Sequence, residues 1–363
     1  MKKKFFIKTY GCQMSGYDSA RMADVLESID YSVTKKIEEA DLVILNTCHI
    51  REHAEDKIFS ELGRLRLLKQ KRTDRIIIAV SGCVAQVKGK EILSKAPFVD
   101  IVLGPRTYHR LPEMITKVNC TGNRVVATDF NNESKFDYLP TPSVNGSSAF
   151  LSVQEGCENF CSFCVVPYTR GAEYSRPASA VLIEAKELVD RGVHEITLLG
   201  QNVNGYHGMG INGVEWGLGS LIRAISYIPK LERIRYITSH PKDMSDELIM
   251  AHRDIPQLMP FLHLPVQSGS NQILAKMNRR YTADDYRRLI ERLRYVQPNI
   301  ALSSDFIVGF PGESDLDFIA TLDLIEDIGF AKAYSFKYSP RYGTKAAGFK
   351  EQIEESCKDE RLI

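Results

Sequence analysis

Three closely spaced cysteines are the strongest chemical signal in this chain of 363 residues. Cys157, Cys161 and Cys164 lie within the segment GCENFCSFCVVPYTRG. A structural zinc ion needs four protein ligands, and no fourth cysteine or histidine stands beside these three in the sequence. The spacing therefore favours a soft-metal centre with one open position, and an iron–sulfur cube with one uncovered iron meets that requirement. The alternatives are a zinc knuckle and a chance cluster of cysteines.

A second set of cysteines follows three short apolar runs that predict strands. Cys12, Cys48 and Cys83 each come just after such a run. The three runs are Lys4–Thr9, Asp41–Asn46 and Ile76–Val80. The carboxyl ends of parallel strands share one edge of a sheet, where open α/β folds bind ligands, so these thiols are in a position to converge on one site. The alternative is a structural role, since cysteine is a common small core residue.

The charge balance and the start of the chain limit the class of protein. Lys plus Arg number 47 and Asp plus Glu 46, so the net charge of +1 indicates no nucleic-acid partner by itself. The basic start MKKKFFIKTY is interrupted by Lys8, and no apolar run reaches the roughly 18 residues of a membrane helix. We therefore expect a cytoplasmic protein with no membrane partner and with reduced thiols, of which Cys120 and Cys357 match no pattern and are incidental.

Short β-branched runs alternate with helical segments over residues 1–118. The predicted helices are Ser19–Ile29, Glu52–Leu68 and Lys88–Lys95, and a fourth strand is predicted at Val99–Leu103. This alternation predicts an α/β domain with a doubly wound parallel sheet. Residues 119–148 are rich in Asn, Ser, Thr and Pro, which predicts an interdomain linker.

Six further strand-like runs, separated by helical segments, recur over residues 149–340. They are Phe150–Gln154, Glu195–Leu199, Arg233–Thr238, Phe261–Leu264, Ile300–Val308 and Ala331–Lys337. Repeated strand–helix units of this size predict an incomplete (β/α)6 barrel with its chemistry on the loops after the strands. These loops offer neutral hydrogen-bonding groups at Gln201, Ser239 and Gln267, which suit a nucleoside and an amino acid moiety. His240 and His263 are predicted to be satisfied polar neighbours rather than metal ligands.

The CxxxCxxC spacing resembles the signature of radical S-adenosylmethionine (SAM) enzymes, and the whole arrangement resembles the methylthiotransferase family. The segments that carry this resemblance are KTYGCQMSGYDSARM, LNTCHIREHAEDKIFSELGRL, GCENFCSFCVVPYTRGAEYSRP, HLPVQSGSNQIL and MNRRYT. They are most similar to the tRNA-modifying, MiaB-type branch, that of tRNA-2-methylthio-N(6)-dimethylallyladenosine synthase. Members of the family normally end in an RNA-binding TRAM domain, so residues 341–363 are expected to be a tail truncated before it.

The resemblance implies a cofactor for each cysteine trio. Cys157, Cys161 and Cys164 would hold the 4Fe-4S cluster that cleaves SAM, with Gln201, Ser239 and Gln267 among the neighbours of SAM. Cys12, Cys48 and Cys83 would hold an auxiliary 4Fe-4S cluster that carries the sulfur to be transferred. The implied reaction adds a methylthio group to C2 of N(6)-isopentenyladenosine at position 37 of tRNA.

The same resemblance implies a tRNA anticodon loop as partner, together with an electron donor, a sulfur or cluster supplier, and a monomeric enzyme. Arg279 and Arg280, in the segment MNRRYT, are predicted to contact RNA phosphates. Further basic segments are Arg64–Arg75 and Arg287–Arg294, and the second of these is as readily a solvated helix face.

Other functions are open at the level of the sequence. The substrate alternatives are threonylcarbamoyl-adenosine in tRNA and a ribosomal protein. A non-catalytic, metal-stabilised RNA-binding module would use all six cysteines structurally. A radical SAM enzyme for a small molecule is a further alternative, but it has no evident need for a separate α/β domain with three cysteines.

Overall fold

The computed structural model describes residues 2–48, 54–130 and 134–363. These residues form two compact units, of which the first comprises residues 1–143 and 168–171 and the second comprises residues 144–167 and 172–363. Residues 49–53 of the segment LNTCHIREHAEDKIFSELGRL, including the predicted start of a helix at Glu52, lie outside the described residues.

The first unit alternates strands and helices along the chain. Its elements are β1 (Lys3–Tyr10), α1 (Gln13–Glu27), β2 (Tyr31–Val33), β3 (Leu42–Thr47), α2 (Ala54–Lys71), β4 (Ile77–Gly82), α3 (Cys83–Lys95), β5 (Ile101–Leu103), α4 (Leu111–Thr121) and β6 (Val125–Ala127). The strands form one parallel sheet in the order β2-β1-β3-β4-β5-β6. Tyr10, Thr47 and Gly82 are cross-strand partners, so the carboxyl ends of β1, β3 and β4 lie level with one another.

Alternate residues of the central strands pack against opposite faces of this sheet. In β3, Leu42 and Ile44 belong to the core formed with α1 and α4, whereas Val43 and Leu45 belong to the core formed with α2 and α3. Both faces are thus covered by helices, and the predicted doubly wound parallel sheet is confirmed.

The predicted boundaries of the first domain differ from the structure. Within the predicted linker 119–148, Val125–Ala127 forms β6 and pairs with β5, and the first unit continues to Ser143. The sequence did not predict β6, because a strand of three residues between Gly122 and a polar stretch is too short to show an alternation of apolar and polar residues. Helix α3 begins at Cys83, five residues before the predicted start at Lys88. The backbone of Lys88 departs from helical geometry, which kinks the helix.

The second unit contains the remaining elements. They are β7 (Ser148–Ser152), β8 (Gln154–Glu155), α5 (Val166–Arg170, whose last three residues count with the first unit), β9 (Tyr174–Ser175), α6 (Ala178–Asp190), β10 (Glu195–Leu199), β11 (His207–Met209), β12 (Glu215–Gly217), α7 (Leu218–Ser226), β13 (Arg233–Tyr236), α8 (Asp246–Asp254), β14 (Phe261–His263), α9 (Asn271–Lys276), α10 (Ala283–Val296), β15 (Ala301–Val308), α11 (Asp315–Ile328), β16 (Lys332–Lys337) and α12 (Glu355–Leu362).

The six predicted barrel strands are all present and parallel. They form one sheet in the order β13-β10-β7 and another in the order β14-β15-β16. A parallel bridge from Ile234 of β13 to Leu258 continues the ladder toward β14. Helices pack outside through a core of apolar side chains, and the arrangement is that of a partial (β/α)6 barrel. The predicted tail 341–363 is part of this unit, and its helix α12 packs against β16.

Among the residues that the structure describes, no helix is both long enough and apolar enough to cross a bilayer.

Candidate metal centres

The cysteines of the first unit lie at the level carboxyl ends of three adjacent strands. Cys48 directly follows β3, Cys83 directly follows β4 and opens α3, and Cys12 precedes the first residue of α1. The backbone N–H of Cys48 donates to the carbonyl of Tyr10 over 2.8 Å, which continues the ladder to the first thiol-bearing segment. The structure therefore places the three cysteine-bearing segments at one edge of the sheet, and the convergence of their thiols on one cluster stays a prediction.

Two thiols of this trio, those of Cys12 and Cys48, interact with each other. A hydrogen bond with Cys48 lowers the pKa of Cys12 to about 5, and the charge of Arg170 acts in the same direction. Cys48 and Cys83 are buried, whereas Cys12 is half-buried. A thiolate beside a thiol in an electropositive setting is the donor chemistry that soft metals and iron–sulfur clusters bind.

Glycines allow the close approach of the segments that carry these cysteines. Gly82 has φ +95°, and a Cβ atom there would stand 2.2 Å from the carbonyl oxygen of Thr47. A Cβ atom at Gly11 would stand 2.5 Å from the Cβ of Cys48. Any larger residue at either position would force the cysteine-bearing turns apart.

We expect Gly82→Ala to lower the free energy of unfolding by about 2 to 5 kcal/mol, because it adds a backbone clash to the strain of a left-handed conformation. Gly122→Ala is the matched control, since Gly122 also has positive φ (+69°) but faces open space. The control should lose only about 1 to 2 kcal/mol. Urea unfolding of the two variants measures the difference, and equal losses would show that the approach to Thr47 is unimportant.

Arg170 is a residue of this unit that sequence reasoning missed. It donates to Asp18 of α1 over 2.6 Å, and both side chains are buried. The ammonium group of Lys135 lies 3.4 Å from the other carboxylate oxygen of Asp18 and 4.6 Å from the ring centre of Tyr108. This buried ionic network holds a positive charge close enough to Cys12 to affect its pKa. The segment VVPYTRG offered no sequence sign of it.

The three cysteines of the second unit lie on the loop between β8 and α5. This loop is tied to the chain after α9, because the N–H of Ser162 donates to Met277 and its hydroxyl donates to Lys276. The side-chain amide of Asn278 donates to the carbonyls of Asn159 and Phe160 over 3.1 and 3.0 Å. The loop is therefore held in one conformation by neighbouring backbone.

Two thiols of this second trio, those of Cys157 and Cys164, bind their protons more tightly than a free thiol does when no metal is present. Burial, with a smaller contribution in the same direction from the charge of Cys161, raises the pKa of Cys157 to about 11 and that of Cys164 to about 12. Three thiolates packed together require positive charge, and metal ions provide it by displacing the protons. The donor set thus fits a cluster of cationic irons, for which CxxxCxxC leaves one iron without a protein ligand.

Arg279 is not an RNA-facing residue, which corrects the prediction made for it. It is only 5% exposed and donates to the sulfur of Cys161 over 3.5 Å. The prediction relied on the basic dipeptide alone, which does not tell which of two neighbouring arginines turns inward. Arg280, with φ +52°, is exposed and remains a candidate for phosphate contact.

Gln154 joins the cysteine loop to the loop after β10. Its side-chain oxygen accepts from the N–H groups of Gln201 and Asn202 over 2.9 and 3.1 Å, and its amide donates to Gly156 over 2.9 Å. Gln201 in turn accepts from the N–H of Gly156 over 2.5 Å. Gln154 is fully buried, and a glutamine at the end of an apolar strand was the available sequence signal.

Several buried polar atoms on the loops after the barrel strands have no hydrogen-bond partner among the described residues. They are Nε2 of Gln201, Oγ of Ser239, Oδ1 of Asn202 and Nε2 of His240. Such atoms cost free energy unless a ligand or water satisfies them. They fit the polar groups of a nucleoside and an amino acid, as the sequence predicted for Gln201 and Ser239.

His240 and His263 differ in how well the protein satisfies them. Nδ1 of His240 accepts from the N–H of Lys242 over 3.2 Å, which leaves Nε2 as the unpartnered donor. Burial, aided by the charge of Arg279, lowers the pKa of His240 to about 2, so the ring is neutral. His263 bonds Ser303 over 2.9 Å, as a satisfied neighbour would.

Gln267 follows β14 and has φ +78°. Its backbone pairs with β15 through bonds with Asp305 and Ile307 over 3.0 and 2.9 Å. This conformation places the residue at the end of the second barrel sheet, where the sequence predicted it to be. A contact of its side chain with SAM stays a prediction.

Mononuclear metal binding is a separate matter from cluster binding. Within residues 2–48, 54–130 and 134–363, no three His, Cys, Asp or Glu side chains are grouped closely enough to hold one metal ion. A cube of four irons binds each thiolate through a different iron, so its ligands stand farther apart.

Comparison with known proteins identifies both halves of the chain. Residues 4–104 match the Uncharacterized protein family UPF0004, and residues 151–325 match the Radical SAM superfamily. The two together are the architecture of the methylthiotransferase type. The radical SAM superfamily consists of enzymes that use a 4Fe-4S cluster and SAM.

Solved structures of cobalamin enzymes share the fold. The radical SAM methyltransferase TsrM from Kitasatospora setae, with cobalamin and a [4Fe-4S] cluster bound, matches with a TM-score of 0.69 and 14% identity over 96% of this chain and 74% of its own. The cobalamin-dependent SAM radical enzyme OxsB, with aqua-cobalamin and SAM bound, matches with a TM-score of 0.64 and 15% identity over 99% of this chain. The chain spans about half of OxsB, 55% of its length.

Proposed function

We propose that this chain is a tRNA methylthiotransferase that adds a methylthio group to C2 of N(6)-isopentenyladenosine at position 37. The observation that carries the proposal is the presence of two cysteine trios, one at the strand ends of a UPF0004-type sheet and one on the first loop of a radical SAM barrel. A single radical SAM site needs only the second trio, so the first must serve a further step. Sulfur insertion is a step that uses another iron–sulfur cluster.

The loops of the barrel give each proposed residue a task. Cys157, Cys161 and Cys164 would hold the cluster, which when bound supplies reductive cleavage of SAM. The unpartnered donors of Gln201 and His240 would orient SAM through its polar groups, with Ser239 and Gln267 beside them. Burial of these groups excludes water, which strengthens each hydrogen bond that they make.

The strand-end trio would hold the auxiliary cluster. Cys12, Cys48 and Cys83 supply three soft ligands, and with one iron left uncovered the cluster can carry an external sulfur. Arg170 holds a positive charge near Cys12 and would offset the negative charge of three thiolates. An electron donor and a sulfur or cluster supplier are required partners, and we propose a cytoplasmic monomer.

Nucleoside mass spectrometry of tRNA tests the proposed reaction. Cells that lack this protein should accumulate N(6)-isopentenyladenosine without its 2-methylthio form, and the wild-type gene should restore the product while a Cys157→Ala gene should not. Restoration of 2-methylthio-threonylcarbamoyl-adenosine, or methylthiolation of a ribosomal protein, would reassign the substrate. Restoration by Cys157→Ala would contradict a radical mechanism.

A corrinoid methyltransferase is a second candidate function, because the fold matches TsrM and OxsB over nearly the whole chain. The thiols at the strand ends favour iron in this protein, since they are ligands of soft-metal clusters. Analysis of anaerobically purified protein separates the alternatives. Iron with acid-labile sulfide supports the proposal, cobalt supports the corrinoid enzyme, and zinc alone supports a non-catalytic RNA-binding module.

We expect Arg280→Ala to weaken tRNA binding and to flatten its salt dependence, lowering the slope of log affinity against log salt by roughly 0.7 to 0.9 for one lost phosphate contact. Arg280 is exposed, and its charge helps lower the pKa of His240, so it stands near the loops that carry the proposed site. Fluorescence anisotropy with tRNA over a series of salt concentrations measures both quantities.

Arg288→Ala is the matched control for this prediction. Arg288 is also exposed, but it pairs with Asp285 within the same helix α10 over 2.6 Å. Removing it deletes one positive charge from the same unit without deleting a proposed phosphate contact. Equal effects of Arg280→Ala and Arg288→Ala would show that the RNA contact is placed wrongly.

A further inference from the structure

Arg279 is a buried cation with fixed geometry. Its Nε donates to the hydroxyl of Tyr281 over 2.7 Å, its Nη2 donates to the carbonyl of Pro265 over 2.5 Å, and its Nη1 donates to the sulfur of Cys161 over 3.5 Å. The hydroxyl of Tyr281 donates onward to the carbonyl of Val266 over 2.9 Å. Two of the three contacts thus anchor the guanidinium, and the third points it at a cysteine sulfur.

No carboxylate in the described part of the chain pairs with Arg279. They are a phenol, a carbonyl and a thiol, and the arginine is 5% exposed. A buried guanidinium without an anionic partner is costly. The sulfur of Cys161 is the group among these partners that becomes a stable anion, and it does so when it binds metal.

We propose that Arg279 is a positioning residue for the proposed radical SAM cluster: it holds the Cys161 thiolate by a charge-assisted N–H···S bond and raises the reduction potential of the cluster. Reduction adds negative charge to the cluster, and a fixed cation at one ligand sulfur stabilises the reduced form more than the oxidised form. Hydrogen bonds to the sulfurs and the surrounding charge are the means by which a protein sets such potentials. The guanidinium suits the task because it stays charged when buried and is held by a rigid fork of donors.

This inference rests on the cluster of the proposed function but not on the identity of its substrate. The wild-type protein tests the cluster first: anaerobically reconstituted and reduced full-length protein should give an electron paramagnetic resonance signal that changes when SAM is added. A signal that does not change when SAM is added would refute the cluster at Cys157, Cys161 and Cys164, independently of the role of Arg279.

Potentiometric titration of that SAM-responsive signal tests Arg279. We expect Arg279→Gln to shift the potential to more negative values, since it removes the charge and the N–H···S bond. Arg279→Lys should give a smaller shift in the same direction, because it retains the charge without the rigid fork. Arg288→Ala removes an exposed charge that already pairs with Asp285 over 2.6 Å and that solvent screens, so it should leave the potential in place.

Unchanged potentials in both Arg279 variants would overturn the proposal, as would an equal shift in Arg288→Ala. If Arg279→Gln does not retain iron, the potential of Arg279→Lys tests the proposal. If neither variant retains iron, the N–H···S bond is tested on wild-type protein labelled with ¹⁵N-arginine. Pulsed electron paramagnetic resonance should then detect a ¹⁵N coupling to the reduced cluster, and its absence would refute the N–H···S bond.

Discussion

Cys157→Ala, Cys161→Ala and Cys164→Ala should each reduce the formation of 5'-deoxyadenosine from SAM to background. Each cysteine is one of the three proposed thiol ligands, and its loss would leave a second iron of the cluster without a protein ligand, which would disturb the binding and cleavage of SAM. The loop that carries them is anchored by Ser162 and Asn278, so a single thiol can be removed without releasing the others. Chromatographic assay of 5'-deoxyadenosine with excess reductant measures the effect.

Cys357→Ala is the control for these variants. Cys357 is a half-buried free thiol of the second unit in helix α12, apart from the trio in the sequence. It should retain iron content and SAM cleavage at the wild-type level. Full cleavage of SAM in any of the three trio variants would show that the cluster ligands are assigned wrongly.

Replacement of the strand-end cysteines should separate the two halves of the reaction. We expect Cys12→Ala, Cys48→Ala and Cys83→Ala to lose all methylthio product while they still cleave some SAM with an excess of reductant. Alanine removes only the sulfur atom and adds no polar group at the two buried positions, Cys48 and Cys83, so the sheet should stay folded. Iron content should fall from about eight to about four per chain, as expected when one of two cubes is lost.

The iron content per chain and the yield of methylthio product together test this second prediction. Cys120→Ala is the control in the same unit, since Cys120 is exposed and should affect neither quantity. A strand-end variant that still binds about eight irons per chain would show that the auxiliary cluster lies elsewhere. A variant that loses SAM cleavage as completely as Cys161→Ala would show that the two sites do not work independently.

The placement of the strand-end trio was predictable from periodicity. Each cysteine follows a short apolar run, and parallel strands that alternate with helices put their carboxyl ends on one edge. The structure adds the register, in which Tyr10, Thr47 and Gly82 are partners, and this register is what brings Cys12, Cys48 and Cys83 to the same level.

Short sequence patterns did not predict features that depend on tertiary contacts, namely the pairing of a short strand and the burial of a single side chain. Strand β6 lies in what the composition marks as a linker, because three residues pair with β5 despite a polar setting. Arg279 and Arg280 are adjacent and chemically identical, yet one is buried against Cys161 and the other is exposed. A dipeptide carries no information about which backbone conformation turns each side chain inward.

The identity of the ligand types and the order of the elements are therefore properties of the linear sequence, because cysteine spacing and hydrophobic period are local. The residues that contact these ligands cannot be identified from the linear sequence, since they lie far away along the chain. Arg279 lies 118 positions from Cys161, and Arg170 lies 152 positions from Asp18. Contacts of this kind depend on how the sheet and barrel bring distant loops together, so the electrostatic setting of each thiol could be read only from the folded protein.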